Sequence, residues 1–109
     1  MNVDFKKGKG LIPAVIQEYG SDKILMLGFM NEEAFKKTKE TGFVHFYSRT
    51  RKKLWKKGEE SGNTLEVEEM YADCDNDSIL IKAVLHGDAC CHTGEKSCFF
   101  TKMYDQKLS

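Results

Sequence analysis

The stretch that decides the fold is residues 23–42, KILMLGFMNEEAFKKTKETG, in which an apolar run of strand length is followed by a helical pattern. Asn31 can cap the N-terminus of a helix, and Glu32 and Glu33 suit the positive end of its dipole. Gly42 can end that helix in the left-handed conformation that glycine adopts easily. We therefore predict a strand over residues 23–30 and a helix of two or three turns after Asn31.

Strand patterns lie on both sides of this stretch. Residues 14–19 precede the turn sequence Gly20-Ser21-Asp22, which predicts an opening hairpin with residues 23–30. Residues 43–47, 65–68 and 78–85 are further strand candidates, because they are rich in aromatic and branched residues or alternate apolar with polar ones. Several strands with one main helix, and no regular strand–helix alternation, predict an α+β fold with a mainly antiparallel sheet.

Length and composition indicate one domain over residues 1–109. The chain has 17 basic and 17 acidic side chains, which gives no global field to attract DNA or an anionic membrane. A core of this size is marginal, so an oligomer interface would help the fold. The apolar run at 24–30 is too short to span a membrane, and the N-terminus lacks a signal-peptide pattern. We expect a cytoplasmic protein that binds no membrane and has no disulfides.

The first cluster with chemical potential is residues 49–57, RTRKKLWKK, where six of nine side chains are cationic. Arginine can bind phosphate oxygens through two hydrogen bonds, and the Trp55 indole can stack on a base. Residues 58–63, GEESGN, supply two glycines that would let backbone N–H groups approach a phosphate. The alternative is a solvated basic hairpin tip followed by a glycine turn, and the segment taken alone favours that alternative.

The second cluster is residues 72–78, ADCDNDS. In an extended segment Asp73, Asp75 and Asp77 would share one face, where a hard cation such as Mg²⁺ relieves their repulsion, and Cys74 would face the other way. An EF-hand loop is excluded, because its sixth and twelfth positions lack the required Gly and Glu. An acidic turn that merely faces solvent is the alternative.

The third cluster is residues 87–99, GDACCHTGEKSCF. It contains no C-x2-C or H-x3-H pair, which disfavours a closed structural zinc site. Thiolates from Cys74, Cys91 and Cys98 would instead leave the fourth position of a tetrahedral Zn²⁺ open to water, as catalytic zinc requires. The alternative for each cysteine is an ordinary buried thiol. The H-x-E and P-C-x-x-C signature of zinc deaminases is absent.

Taken together and in this order, the three clusters closely resemble the phosphoribosyl-AMP cyclohydrolase family of histidine biosynthesis. The matching residues are Ser48, Arg51, Trp55, Lys57, Gly58, Glu59, Ser61 and Gly62, then Asp73, Cys74, Asp75 and Asp77, then Cys91, His92, Gly94, Ser97, Cys98 and Phe99. The resemblance covers residues 10–99. It implies that water adds to carbon 6 of the adenine ring of N1-(5-phosphoribosyl)-AMP and that the bond to nitrogen 1 breaks, giving ProFAR. The pyrophosphohydrolase domain to which this enzyme is often fused is not expected here.

The resemblance also implies metals and a partner. It places Zn²⁺ on Cys74, Cys91 and Cys98, and Mg²⁺ on Asp73, Asp75 and Asp77. It implies an intertwined homodimer in which Cys74 of one subunit joins the other two thiols from the second subunit. The zinc site would then lie at the interface.

Substrate roles follow as hypotheses. We assign phosphate binding to Arg49, Arg51 and Lys57, packing on purine or ribose to Trp55, and the phosphate loop to Ser61 and Gly62.

The histidines differ in their expected roles. His92 is the candidate for proton transfer, although it could equally orient a metal ligand. His45 lies in a strand candidate and His86 at the end of another, so we interpret both as structural.

Two positions depart from the family pattern. Cys90 precedes Cys91, and the distance from Cys74 fits either thiol, so we choose Cys91 because its spacing to His92 and Cys98 matches the motif. Glu60 stands where a small hydroxyl residue is common, which adds a negative charge near the proposed anion site.

Two other classes of function compete with this interpretation. A small RNA-binding module would use the basic segment and Trp55 to contact a single strand. The stretch 59–77, with eight carboxylates and no basic residue, would repel a polyanion, so no nucleic-acid partner is expected. A structural protein would close one Zn²⁺ site with all four cysteines.

Overall fold

The computed structural model describes residues 3–108. Within that range the elements follow in this order: β1 (Ile12–Glu18), β2 (Ile24–Met30), α1 (Glu32–Thr41), β3 (His45–Ser48), β4 (Lys53–Lys56), β5 (Thr64–Ala72), β6 (Ile79–His86), and a single 3-10 turn at Gln106–Leu108. The predicted α+β class with one main helix is confirmed. Among these residues, no helix is both long and apolar enough to span a membrane.

The strands form two sheets. A four-stranded sheet has the order β2-β1-β6-β5, and β3 pairs with β4 in a separate hairpin. The β1–β2, β5–β6 and β3–β4 pairs are antiparallel, whereas β1 and β6 run parallel. The prediction of mainly antiparallel pairing is confirmed, and the parallel pair arises where the N-terminal and C-terminal hairpins meet in the middle of the sheet.

The helix ends where its local sequence predicts. The Asn31 side chain accepts a hydrogen bond from the Ala34 amide at 2.8 Å, which caps the first turn. Gly42 has φ 78°, and its amide donates to the Thr38 carbonyl at 3.0 Å. Each cap joins residues within four positions of each other, so both could be identified without tertiary information.

Strand β4 lies inside the segment that we interpreted as a basic hairpin tip. The tip is real, but it is confined to residues 49–52, and residues 53–56 pair with β3. The lysines at both ends of β4 resemble the residues of a solvated turn, so the sequence does not reveal the strand. They fit a strand because a lysine stem can cover apolar surface while its ammonium stays in water. The basic segment is therefore half turn and half sheet.

A glycine in β2 fixes where the hairpin packs. The Phe46 ring is buried against Gly28, where an added Cβ would lie 2.6 Å from the ring carbon Cδ1. Phe46 in turn packs on Trp55, with ring centroids 5.3 Å apart. The contact between Phe46 and Gly28 thus fixes the position of the hairpin on β2. In this position the basic side chains of the hairpin lie next to the segment that follows β6.

Candidate active site

A cavity of about 360 Å³ lies where the hairpin, the loop after it and the segment after β6 meet. It is lined by Met26, Arg51, Lys53, Trp55, Lys56, Lys57, Gly58, Glu59, Glu60, Ser61, Cys90, His92 and Cys98. That volume suits a small-molecule ligand. The structure therefore brings the first and third sequence clusters, which are far apart along the chain, to one site.

The segment 87–98, here called the thiol loop, is anchored firmly at its C-terminal end. The Cys98 amide donates to the Leu25 carbonyl at 2.7 Å, and the Ser97 hydroxyl donates to the Ile24 carbonyl at 2.7 Å. The ammonium of Lys96 lies 2.9 Å from a carboxylate oxygen of Glu18 in β1. These contacts tie Cys98 to the first two strands.

The thiols of the loop have different environments. Cys90 is buried, and burial raises its pKa to about 11. Cys91 is partly exposed, and the Thr93 hydroxyl donates to its Sγ at 3.1 Å, which lowers the pKa of Cys91. Desolvation raises the pKa of Cys98, and the Cys91 thiol interacts with it. Among the three thiols of the loop, Cys91 is therefore the one whose environment favours the thiolate.

Two basic residues assigned to phosphate make contacts within the protein. The Lys57 ammonium donates a hydrogen bond to the Cys90 carbonyl at 2.5 Å. The Arg49 guanidinium lies over the Phe29 ring, 4.0 Å from its centroid. Arg51 lines the cavity, and its amide is held by the Ser48 hydroxyl at 3.2 Å. Arg51 is thus the arginine that the fold directs into the site.

The glycine loop after β4 is shaped by its own hydrogen bonds. Gly58 and Gly62 both have positive φ, 85° and 82°, and the Gly62 amide donates to the Gly58 carbonyl at 2.8 Å. The Glu59 carboxylate accepts from the Lys56 amide at 2.8 Å and so closes the turn. Ser61 and Glu60 line the cavity.

The acidic segment between β5 and β6 is a turn, as in the alternative that the sequence left open, and not an extended segment. Asn76 adopts φ 64°, and the Asp73 amide bonds to the Ser78 carbonyl at 3.0 Å, which reverses the chain. The turn still brings one oxygen from each of Asp73, Asp75 and Asp77 within 4.8 Å of the others. Convergence therefore comes from the reversal of the chain and not from strand alternation.

The pKa values of Asp73 and Asp77 are shifted in opposite directions. The Ser78 hydroxyl donates to Asp73 at 2.7 Å and is the main reason why the pKa of Asp73 falls to about 2. Hydrogen bonding with Asp75 and then with Asp73 raises the pKa of Asp77. Carboxylates that crowd in this way present hard oxygen ligands of the kind that Mg²⁺ prefers.

Cys74 does not join the other predicted zinc ligands within one chain. Within residues 3–108, three or more potential metal-ligating side chains bring their donor atoms together at the aspartate triad, and Cys74 is not in that group. Cys74 precedes β6 and Cys91 follows it. A strand of this length extends about 25 Å, so the fold places the two segments at opposite ends of β6.

Comparison with known proteins identifies the family of the chain. The family model for phosphoribosyl-AMP cyclohydrolase matches residues 26–100. The chain belongs to the phosphoribosyl-AMP cyclohydrolase family. A relative of that name from Solibacter usitatus is 54% identical over 94% of this chain and 82% of its own length. Relatives of the same name from Syntrophotalea carbinolica and Geotalea uraniireducens are 50% and 54% identical, over 96% and 94% of this chain and 84% and 82% of their own lengths.

The other two histidines of this cyclohydrolase-family chain have structural contacts, as predicted. His45 Nδ1 lies 2.9 Å from the Phe43 carbonyl oxygen, and His86 Nε2 lies 2.8 Å from a carboxylate oxygen of Glu66. His92 is exposed and lines the cavity. Of the three histidines, His92 is therefore the one that lines the cavity.

Met26 borders the cavity and Phe29 contacts Arg49, yet neither residue stands out in the sequence. Met26 lines the cavity because a bulge opposite Ile16 and Gln17 buries both Leu25 and Met26 in succession. Phe29 supports Arg49 from β2. Both residues belong to the apolar run of β2, so no local pattern separates them from ordinary core residues.

We expect Glu18 to stabilise the fold in a pH-dependent way. Its hydrogen bonds with Ser21 and then with Lys96 lower its pKa from 4.5. A carboxyl with a lower pKa in the folded state stabilises that state above its ordinary pKa, and the contribution disappears as the pH falls through the lowered pKa. Glu18→Gln should therefore reduce the free energy of unfolding at neutral pH and have a smaller effect once the pH falls through the lowered pKa of Glu18.

Urea unfolding of the parent and the variant across this pH range measures the effect. Lys96→Met removes one of the two hydrogen bonds, so its destabilisation should also shrink with acid. A Glu18→Gln deficit that does not shrink as the pH falls through the lowered pKa of Glu18 would contradict the assignment.

Proposed function

We propose that this chain is a phosphoribosyl-AMP cyclohydrolase of histidine biosynthesis. It adds water to carbon 6 of the adenine ring of N1-(5-phosphoribosyl)-AMP and breaks the bond to nitrogen 1, which gives ProFAR. The observation that carries the proposal is the cavity, in which Arg51 and Trp55 face His92 and Cys98. A nucleotide-sized space between cationic side chains and thiols suits a substrate with two phosphates and a hydrolysable ring.

The cavity has the charge that a doubly phosphorylated substrate needs. Four lining residues are cationic and two are acidic. Arg51 binds one phosphate through its planar fork, and Arg49, held on Phe29 at the rim of the hairpin, serves the second. Trp55 packs on the purine or ribose, and the backbone at Ser61 and Gly62 approaches a phosphate. Glu60 lowers the net positive charge at this position.

The donor set fits a zinc ion shared between two chains. Cys91 and Cys98 are neighbouring thiols on one loop, and sulfur ligands suit Zn²⁺. Cys74 of a second copy supplies the third ligand in this proposal, because Cys74 lies elsewhere in its own chain. Zn²⁺ held by three thiolates would supply Lewis acidity and bring the pKa of a water molecule near neutral.

His92 moves the protons of the reaction in this proposal. It lies next to Cys91 and lines the cavity with Cys98. A neutral imidazole can take the proton of the attacking water and return it to nitrogen 1 as the ring opens. The step balances, since water contributes the oxygen at carbon 6, one proton to nitrogen 1 and the other proton to the exocyclic nitrogen on carbon 6, which becomes the amide nitrogen of the product.

Asp73, Asp75 and Asp77 fit a magnesium ion by their chemistry. Their donor oxygens converge, and a divalent cation would offset the repulsion that raises the pKa of Asp77. Asp73 also stabilises the turn by accepting hydrogen bonds from the Asp77 amide and the Ser78 hydroxyl. The lone pairs that these bonds leave unused are the ones that could bind a metal. Mg²⁺ at this position would add positive charge next to Cys74, which suits recognition of a phosphate.

The uncovered face of the large sheet supports a homodimer. The strand registers align Leu27, Val15, Leu80 and Tyr71 in one row across β2, β1, β6 and β5. The buried residues of β1 and β6 lie on the opposite face, toward the core. Leu27 is 43% exposed and Tyr71 is 51% exposed. An apolar row across four strands fits a second copy of the same chain.

The segment after the thiol loop presents further apolar surface. Phe99 is 63% exposed and Met103 is 95% exposed. These residues closely follow Cys98, so exposed apolar surface lies next to the two thiols. Burying that surface against a partner would be energetically favourable. A second copy that covers it would bring its own Cys74 toward them, and for this reason we propose the homodimer rather than an unrelated partner.

Turnover and bound zinc test the proposed function together. Conversion of phosphoribosyl-AMP, followed by absorbance, should fall by more than about 100-fold in Cys91→Ala and Cys98→Ala, because loss of even an outer partner of a metal ligand costs about 10–100-fold. Zinc content should fall in parallel. Cys90→Ala is the matched control and should retain zinc, since the buried Cys90 thiol is not a ligand in this proposal. Near-parental turnover in both ligand variants, or zinc loss confined to Cys90→Ala, would overturn the assignment.

A further inference from the structure

The two halves of the thiol loop are held by different parts of the molecule. Cys98 is tied to β2 through backbone and Ser97 bonds. Toward the other end, the Cys90 amide donates to the Lys96 carbonyl at 3.1 Å and the Cys91 amide to the Glu95 carbonyl at 3.0 Å, and both bonds stay inside the loop. These bonds couple the Cys90–Cys91 half to the anchored half, and the Cys90 side chain is buried in the core, so a contact to the Cys90 carbonyl from outside the loop would complete the positioning of this backbone.

Lys57 supplies such a contact from the hairpin side. Its ammonium donates to the Cys90 carbonyl across 33 residues of sequence, in a partly buried position. The base of the Lys57 side chain is itself fixed, because its amide donates to the Val44 carbonyl at 3.0 Å and the preceding strand packs through Trp55 on Phe46. The bond thus connects the wall of the cavity that carries Arg51 to the wall that carries the thiols.

Lys56 shows that this placement is specific to one lysine. The Lys56 ammonium lies over the Phe43 ring, 4.7 Å from its centroid, although its residue also borders the cavity. Within residues 3–108, the Lys57 ammonium bonds to the thiol loop and the Lys56 ammonium does not. The two adjacent lysines, which carry the same charge, therefore have different roles.

We propose that Lys57 is a positioning residue for the zinc-binding thiols. By holding the Cys90 carbonyl it sets the backbone that carries Cys91, and so the separation of the Cys91 sulfur from the Cys98 sulfur. This inference rests on the zinc role proposed above for those two thiols. It reassigns Lys57, because an ammonium engaged with a carbonyl is less free to bind the phosphate predicted from the basic motif.

Zinc affinity of the full-length variants tests the inference. Competition with a chromophoric chelator should show that Lys57→Met binds Zn²⁺ about 10- to 100-fold more weakly than the parent, as expected when an outer-shell contact is lost. Lys56→Met removes the same charge one residue away and should match the parent. Lys57→Arg keeps a charged donor and should recover most of the affinity. Since Met and Arg both keep an apolar stem, the difference between these two variants reports the loss of the donor.

A measurement without zinc keeps the test independent of the proposed function. Hydrogen exchange at the Cys90 and Cys91 amides of metal-free protein should be faster in Lys57→Met than in Lys56→Met. If the parent itself binds no zinc, the proposed function fails, whereas the exchange result still reports whether Lys57 fixes the loop. If the parent binds zinc and Lys57→Met binds it equally well, or if only KM for the substrate rises, Lys57 is not a positioning residue.

Discussion

A mixed dimer of one Cys74→Ala copy and one Cys91→Ala copy will keep about half of the parental activity, although the homodimer of either variant is inactive. In the proposed arrangement each site takes Cys74 from one chain and the Cys91–Cys98 pair from the other. The mixed dimer then has one site with both substitutions and one site with neither. Differently tagged copies, co-expressed and purified through both tags, give the measurement.

The matched control is a mixed dimer of Cys91→Ala with Cys98→Ala. Both residues lie on the same thiol loop, so each site in that dimer carries one substitution and activity should stay near zero. If the three thiols acted within one chain, neither mixture would regain activity. Recovery in the first mixture and not in the second is the result that a shared site requires, and equal recovery or equal failure would contradict it.

Local signals explain which parts of the fold could be predicted. The Asn31 and Gly42 caps act on amides and carbonyls three or four residues away, so the sequence near them is sufficient. The pairing of β1 with β6 joins residues that are far apart along the chain, such as Ala14 and Ile79, and no short-range pattern encodes it. Strand β4 was not predicted because its terminal lysines match a solvated turn as well as a strand.

The same distinction applies to the site. Cys91, His92 and Cys98 stand close together along the chain, so their motif can be recognised from the sequence alone. The bond from Lys57 to the Cys90 carbonyl joins two motifs that look independent in sequence, and basic composition alone suggested a phosphate ligand. The convergence of the aspartates was argued from alternation along an extended segment, whereas it comes from a turn in which Asn76 adopts the left-handed conformation without a glycine to signal it.

Gly58→Ala should be the most damaging of the glycine substitutions in the loop after β4. Gly58 has φ 85°, which costs a residue with a Cβ about 1–2 kcal/mol. An added Cβ would also lie 2.4 Å from the Asn63 carbonyl oxygen, a contact with backbone that cannot rotate away. Together these effects predict a loss of about 2–4 kcal/mol in the free energy of unfolding. Gly58 also lines the cavity, so KM for the substrate should rise.

Gly62→Ala separates the two causes. Gly62 has a similar φ of 82°, but an added Cβ would meet no heavy atom of the described neighbours within 4 Å. Its expected cost is therefore the conformational part alone, about 1–2 kcal/mol. Urea unfolding of both variants measures the difference. If the two losses were equal, the close approach of Gly58 to Asn63 would have no energetic consequence, and the shape of the loop would depend on positive φ alone.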